Sequence, residues 1–324
     1  MLVARRRIAV LVALLALAAV GVVAVAVLSS GRGTSASTAA TPKPRPGRPP
    51  LSLLFGFRSD AASRALARAA ALYGEDHTGA AARIFARYDS LEARVGAALA
   101  TWPHGSLERL EELANLYPKS AVVQLHLGLA RLWAAQGDPD AAWRAVVDAE
   151  PDTPYAILAE NLLHPNLPRG EPAFIPSFAA PLQVSRLPAD RQLAALRARA
   201  EHGGAKDWLL YGVGLQRVGR TVSARGAFER AARMAPRTAE ARVAAAVGEF
   251  DKDDPTLAFS RLGPLTRVFP GEPTVRFHLG VLLLWTGRIS AAERQLRLAA
   301  HTRAGSPLAR EAARYLETIR RARS

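Results

Sequence analysis

The residues with the most chemical potential in this 324-residue chain are a few histidines, one acidic run and a scatter of aromatic side chains. Cysteine is absent, which excludes disulfides, thiol catalysis, cysteine-ligated zinc and a lipid-modified cysteine anchor. His126 and His278 stand in matching contexts, LHLG and FHLG, on segments patterned as separate helices. Two such imidazoles in different repeats do not form a metal site, and they read as packed or partly exposed helix residues. Asp251, Lys252, Asp253, Asp254 and Pro255 have the charge of a cation or acid-base site, yet they fall in a turn, where aspartates cap helices. No G-x-S-x-G, H-E-x-x-H or phosphate-binding glycine loop occurs. The expectation is a non-enzyme with no cofactor and no metal.

Charge is distributed unevenly. The formal net charge is +15, and residues 1–57 carry seven basic residues and no acid. Residues 58–204 are close to balanced, and residues 205–324 are strongly basic. The arginines of that last part lie along many helical segments beside glutamate or apolar anchors, without a nucleic-acid-reading motif, so no nucleic-acid partner is expected. Adhesion of Arg225, Arg230, Arg233 and Arg237 to anionic lipid or a cell-wall polymer is the competing use for this surface.

Ile8 to Leu28 is an uncharged run of Ala, Val, Leu and Ile broken only by Gly21. At ~1.5 Å per residue it spans a ~30 Å hydrocarbon core, and it is longer than the apolar part of a usual cleaved signal. Residues 8–28 are therefore expected to be a single transmembrane helix after a short basic cytoplasmic tail, 1–7. Arg5, Arg6 and Arg7 adjoin the span and place the amino terminus in the cytoplasm, with the remainder extracytoplasmic at the cell membrane. Residues 29–57, ending in KPRPGRPP and a short apolar tail, are expected to form a disordered Pro/Ser/Thr-rich stalk.

Beyond Phe57 the chain is a succession of Ala/Leu/Arg/Glu-rich stretches punctuated by Gly, Pro or Asp, an all-α pattern. Trp208, Tyr211, Gly212, Leu215, Ala224, Phe228, Ala231 and Pro236 set out one helix-turn-helix unit. Trp208, Tyr211 and Leu215 share a face, Gly212 clears room for the second helix, Phe228 fills the space between helices and Pro236 ends the unit. The pattern recurs with a ~34-residue period, so units begin near Ala205, Ala239 and Pro273. Residues 58–163 carry degenerate helical repeats, 188–306 the regular ones, and 307–324 a capping helix of the kind an open solenoid needs.

Residues 164–187 interrupt this rhythm with five prolines and two phenylalanines, Phe174 and Phe178. They read as an insertion between two helices of one unit, expected to be accessible and more mobile than its flanks. A strap covering an apolar groove and a linker between two short solenoids are the other readings.

The repeat pattern resembles the tetratricopeptide-repeat family, as a membrane-anchored bacterial member. The resemblance implies a helical-hairpin solenoid whose concave face, lined by first helices, holds a peptide or a partner's helix. Carried onto this sequence, that face comprises Lys206, Leu209, Val213 and Arg217, then Val247 and Phe250, then Phe277, Val281, Leu284 and Trp285, with Trp133 upstream and Phe174 and Phe178 on the insertion. The expected function is an interaction scaffold or assembly factor, a component of a larger envelope complex, that binds a protein or peptide segment.

Overall fold

The structure is a computed structural model that describes residues 43–323. The expected transmembrane helix at 8–28 lies outside the described residues. Among those described, no helix is long and apolar enough to cross a membrane.

The described chain is all-α and divides into two compact units, residues 43–165 and 166–323. The first contains α1 (Ala61–Gly74), α2 (Thr78–Phe85), α3 (Leu91–Ala100), α4 (Ser106–Leu116), α5 (Ala121–Ala134), α6 (Pro139–Ala149) and α7 (Pro154–Leu163). The second contains the short α8 (Leu182–Ser185), then α9 (Ala189–His202), α10 (Ala205–Arg217), α11 (Thr221–Met234), α12 (Ala239–Val247), α13 (Thr256–Leu262), α14 (Leu265–Val268), α15 (Pro273–Trp285), α16 (Ile289–His301) and α17 (Pro307–Arg323).

Helices begin where the local chemistry directs. The Asp60 carboxylate accepts the Ser63 N–H at 2.9 Å and opens α1, and Asp138 accepts from Asp140 and Ala141 to open α6. Pro139, Pro154 and Pro273 occupy first-turn positions, where a missing N–H costs nothing. The 34-residue period places α10, α12 and α15 at the three expected starts.

In several places close approach of neighbouring helices is set by glycine facing a large side chain. A Cβ on Gly212 of α10 would stand 2.3 Å from the Phe228 ring of α11. Gly96 meets Phe85, Gly128 meets Trp143 and Gly280 meets Leu296 in the same manner. The middle hairpin departs from the pattern: Gly263 and Pro264 split its second helix into α13 and α14, and Leu262 and Leu265 fill the place that Phe228 fills before it.

The insertion does not divide one hairpin, as the sequence suggests. Helix α7 packs on α5 and α6 and belongs to the first unit, whereas α9 packs on α10 and belongs to the second. Residues 166–181 are thus the leading segment of the second unit.

Candidate functional site: two helix-lined grooves and the segments they hold

In each unit an extended, proline-rich segment lies against the helices that line the expected interaction face. In residues 166–323 this strap is the insertion. Gln216 of α10 binds both backbone groups of Phe174: its Oε1 accepts the Phe174 N–H at 3.0 Å, and its Nε2 donates to the Phe174 carbonyl at 3.2 Å. His278 of α15 accepts the Ile175 N–H at 2.9 Å through Nε2, and Glu240 of α12 accepts the Ser177 N–H at 3.1 Å. Three successive first helices therefore read four backbone groups of one extended segment. Each such bond is worth about 1 kcal/mol net, and none depends on the strap's side chains.

Side chains supply the rest. Phe174 is 1% exposed, edge-on to Phe228 at 5.5 Å between ring centroids and stacked on His278 at 5.1 Å. Burying a ring of this size contributes about 2–3 kcal/mol. Ile175 packs into the cluster of Phe277, Val281, Leu284 and Trp285, and a Cβ on Gly170 would meet the Trp285 ring at 3.9 Å. Phe178 is half-buried beneath the Lys206 ammonium, 5.6 Å from its ring centroid. Glu171 pairs at 3.7 Å with Lys252, whose side chain is wholly buried. The insertion is packed along this face, in place of the accessible, mobile loop expected from sequence, because its apolar side chains and backbone donors find partners on three helices.

The other unit does the same with residues 45–55. The Arg45 N–H donates to the Trp133 carbonyl at 2.8 Å, and the Arg45 guanidinium sits 5.3 Å above the Trp133 ring. Trp102 Nε1 donates to the Gly47 carbonyl at 3.1 Å, and the Tyr73 hydroxyl donates to the Pro49 carbonyl at 2.6 Å. Arg48 lies over Tyr73 and pairs with Asp76. His126 Nε2 accepts the Ser52 N–H at 3.0 Å, and the Tyr155 hydroxyl accepts the Leu54 N–H at 3.0 Å. Leu51, Leu53 and Phe55 pack on the core. The expectation of a disordered stalk through residue 57 does not hold for residues 45–55, whose backbone is bonded to helices distant in sequence. Beside the start of this strap a cleft of about 640 Å³ stays open, walled by Trp102, Trp133, Arg45, Arg48 and Glu108.

The two histidines are equivalent in chemistry as well as position. Each Nδ1 faces the carbonyl of the residue four before it, Val122 at 2.6 Å and Thr274 at 2.7 Å, so Nδ1 carries the proton and Nε2 is the acceptor. Burial pushes both imidazoles down to about 4, which keeps them neutral and accepting. Burial also pushes the Tyr155 phenol up to about 12 and raises the Glu240 carboxyl above the ordinary glutamate range. Sequence reasoning placed His126 and His278 at the same repeat position but missed their part in holding a strap. The signal was their matched LHLG and FHLG contexts within otherwise apolar helix faces.

The residues expected on the interaction face are distributed as follows. Leu209, Val247, Phe277, Val281, Leu284, Trp285 and Phe174 are buried in the second unit. Val213, Phe250 and Phe178 are half-buried beside them, with Phe250 edge-on to Trp285 at 6.0 Å. Lys206 and Arg217 are exposed, and Trp133 is half-buried against the first strap. Three of the four basic candidates have intramolecular partners: Arg225 binds the buried Glu249, Arg233 lies 3.8 Å from Glu229, and Arg230 lies 4.6 Å over Trp208. The acidic run 251–254 forms a local turn in which Asp251 accepts the Asp253 N–H and Asp254 the Thr256 N–H. No cluster of three or more potential metal-ligating side chains occurs among the described residues.

The fold defines a class, the all-α stacks of helical hairpins with a surface suited to protein interaction. No protein-family model matches the chain, and no curated protein is similar to it.

Proposed function

We propose that this protein is a non-catalytic, membrane-anchored interaction scaffold or assembly factor of the tetratricopeptide-like type, which holds a partner's protein segment along its first-helix faces. The observation that carries this reading is the backbone-directed bonding in both grooves. Gln216, His278 and Glu240 in one unit, and His126 and Tyr155 in the other, bind the main chain of an extended segment beside apolar pockets. Main-chain bonds of this kind hold an extended segment whatever its sequence, and the apolar pockets beside them select its side chains, a division of roles also found where a peptide adds to a sheet edge. The uncharged run 8–28 supports attachment to the cell membrane, and the basic flank at Arg5 to Arg7 supports an extracytoplasmic location for the two units.

A photo-crosslinking side chain placed at the exposed Arg217 or Gln136 in native membranes tests this reading. Covalent capture of a protein, repeated when that protein is used as bait, is the expected result. Crosslinks confined to lipid, to cell-wall polymer or to the chain itself exclude it.

A further inference from the structure

The two straps share a pattern. With the residues that bond the histidines set in register, Ser52 against Ile175, Pro49 falls on Pro172, Leu51 on Phe174 and Phe55 on Phe178. Both prolines are buried. The residue after each proline-x pair packs on its unit's core, and the phenylalanine four further on is half-buried. Two residues beyond each histidine contact, the Leu54 and Ser177 N–H groups are accepted by a side chain from another helix. The strap precedes its histidine by 74 residues in one unit and by 103 in the other, so the match is not one block of sequence copied whole. One pattern, Pro-x-Φ-x-x-x-Phe with Φ an apolar residue, is therefore read twice in the same register.

We propose that the groove of residues 166–323 is a recognition site for Pro-x-Φ-x-x-x-Phe segments of a partner protein, and that the strap 170–178 is an internal ligand which such a segment displaces. The inference rests on the scaffold reading and specifies the partner's chemistry. Three features support displacement. The strap has no helix or strand of its own, so leaving the groove breaks no secondary structure. Its hydrogen bonds to Gln216, His278 and Glu240 are made by main-chain groups, which any segment of the same conformation presents equally. Phe174 alone among its aromatic side chains is fully buried, with its ring in contact with both Phe228 and His278. The prolines hold an incoming segment extended before it binds and so reduce the ordering cost.

The probe is a fluorescent peptide with the sequence of residues 169–181, titrated onto the full-length protein in detergent micelles. Phe174→Ala empties the internal ring pocket and is expected to tighten peptide binding at least tenfold relative to the unaltered chain. A peptide with alanine in place of its own phenylalanine at that position should not bind. Gln216→Ala added to the Phe174→Ala chain should weaken binding at least fivefold while the helical signal is kept. Should Phe174→Ala fail to fold, Ile175→Pro, which deletes the N–H that His278 accepts, takes its place. Equal binding to altered and unaltered chains overturns the proposal, as does absence of binding to a folded strap variant, or failure of both strap variants to fold. Self-association of the unaltered chain that the peptide competes away would assign the groove to a second copy's strap and would also overturn it. Capture of a partner at Arg217 together with no peptide binding removes this inference and leaves the scaffold reading standing.

Discussion

His126 and His278 carry the clearest residue-scale consequence. A folded imidazole that stays neutral to about pH 4, against an ordinary value of 6.5, takes up its proton later than the unfolded one. The stabilisation is complete above 6.5 and is lost as pH falls toward 4, at most on the order of 3 kcal/mol per histidine. Protonated Nε2 also ceases to accept the strap's N–H. Urea denaturation at pH 7 and pH 4.5 should therefore show a loss that shrinks in His278→Gln, which keeps an acceptor and removes the titration; an unchanged loss in that variant sinks the argument. The glycines offer a paired test of packing. Gly212→Ala forces a Cβ against the Phe228 ring and should destabilise by about 1–3 kcal/mol. Gly226→Ala, in the neighbouring helix with nothing within 4 Å, should stabilise by about 0.5–1 kcal/mol. Thermal melts that rank the two variants in the opposite order would contradict the hairpin geometry.

At the scale of elements, the straps behave as secondary structure without being any. Their donors are satisfied by helix side chains, so protection from hydrogen exchange should follow the bonds residue by residue. The amides of Ser52, Leu54, Phe174, Ile175 and Ser177 should exchange more slowly than that of Gly56, which is exposed in the turn after the first strap. Uniformly fast exchange across 45–55 and 170–178 would return both segments to the status of solvated loops. Helix boundaries were largely legible in the sequence because caps, prolines and the 34-residue period are local signals, as Asp60, Pro139 and Gly212 show. The splitting of the middle hairpin at Gly263 and Pro264 was visible as a loss of pattern, though which leucines would replace the missing ring depended on the packing itself.

For the molecule as a whole, the two units each bury their own cores, and the proposal adds one membrane attachment at residues 8–28. Deleting residues 1–28 should move the protein from the membrane fraction to the soluble fraction without changing its helical far-UV signal. A truncated chain that still sediments with membranes, and resists release by high salt, would place the attachment elsewhere. Release by high salt alone would instead favour adhesion of basic residues to an anionic surface.

By itself the sequence determined the all-α class, the start of each regular repeat and the faces that turn inward, because each of these depends on spacings shorter than about 35 residues along one chain segment. It also singled out Phe174, Trp133 and Trp285 as side chains of consequence. What covers those faces was decided only by tertiary structure. A proline-rich extended segment has no periodicity of its own, and its histidine partners stand 74 and 103 residues away, so nothing local records that Ser52 and Ile175 each give an N–H to a buried histidine. That contact depends on the helices bringing each histidine acceptor into a buried face, where an acceptor left unpaired is costly and a donor from the strap satisfies it.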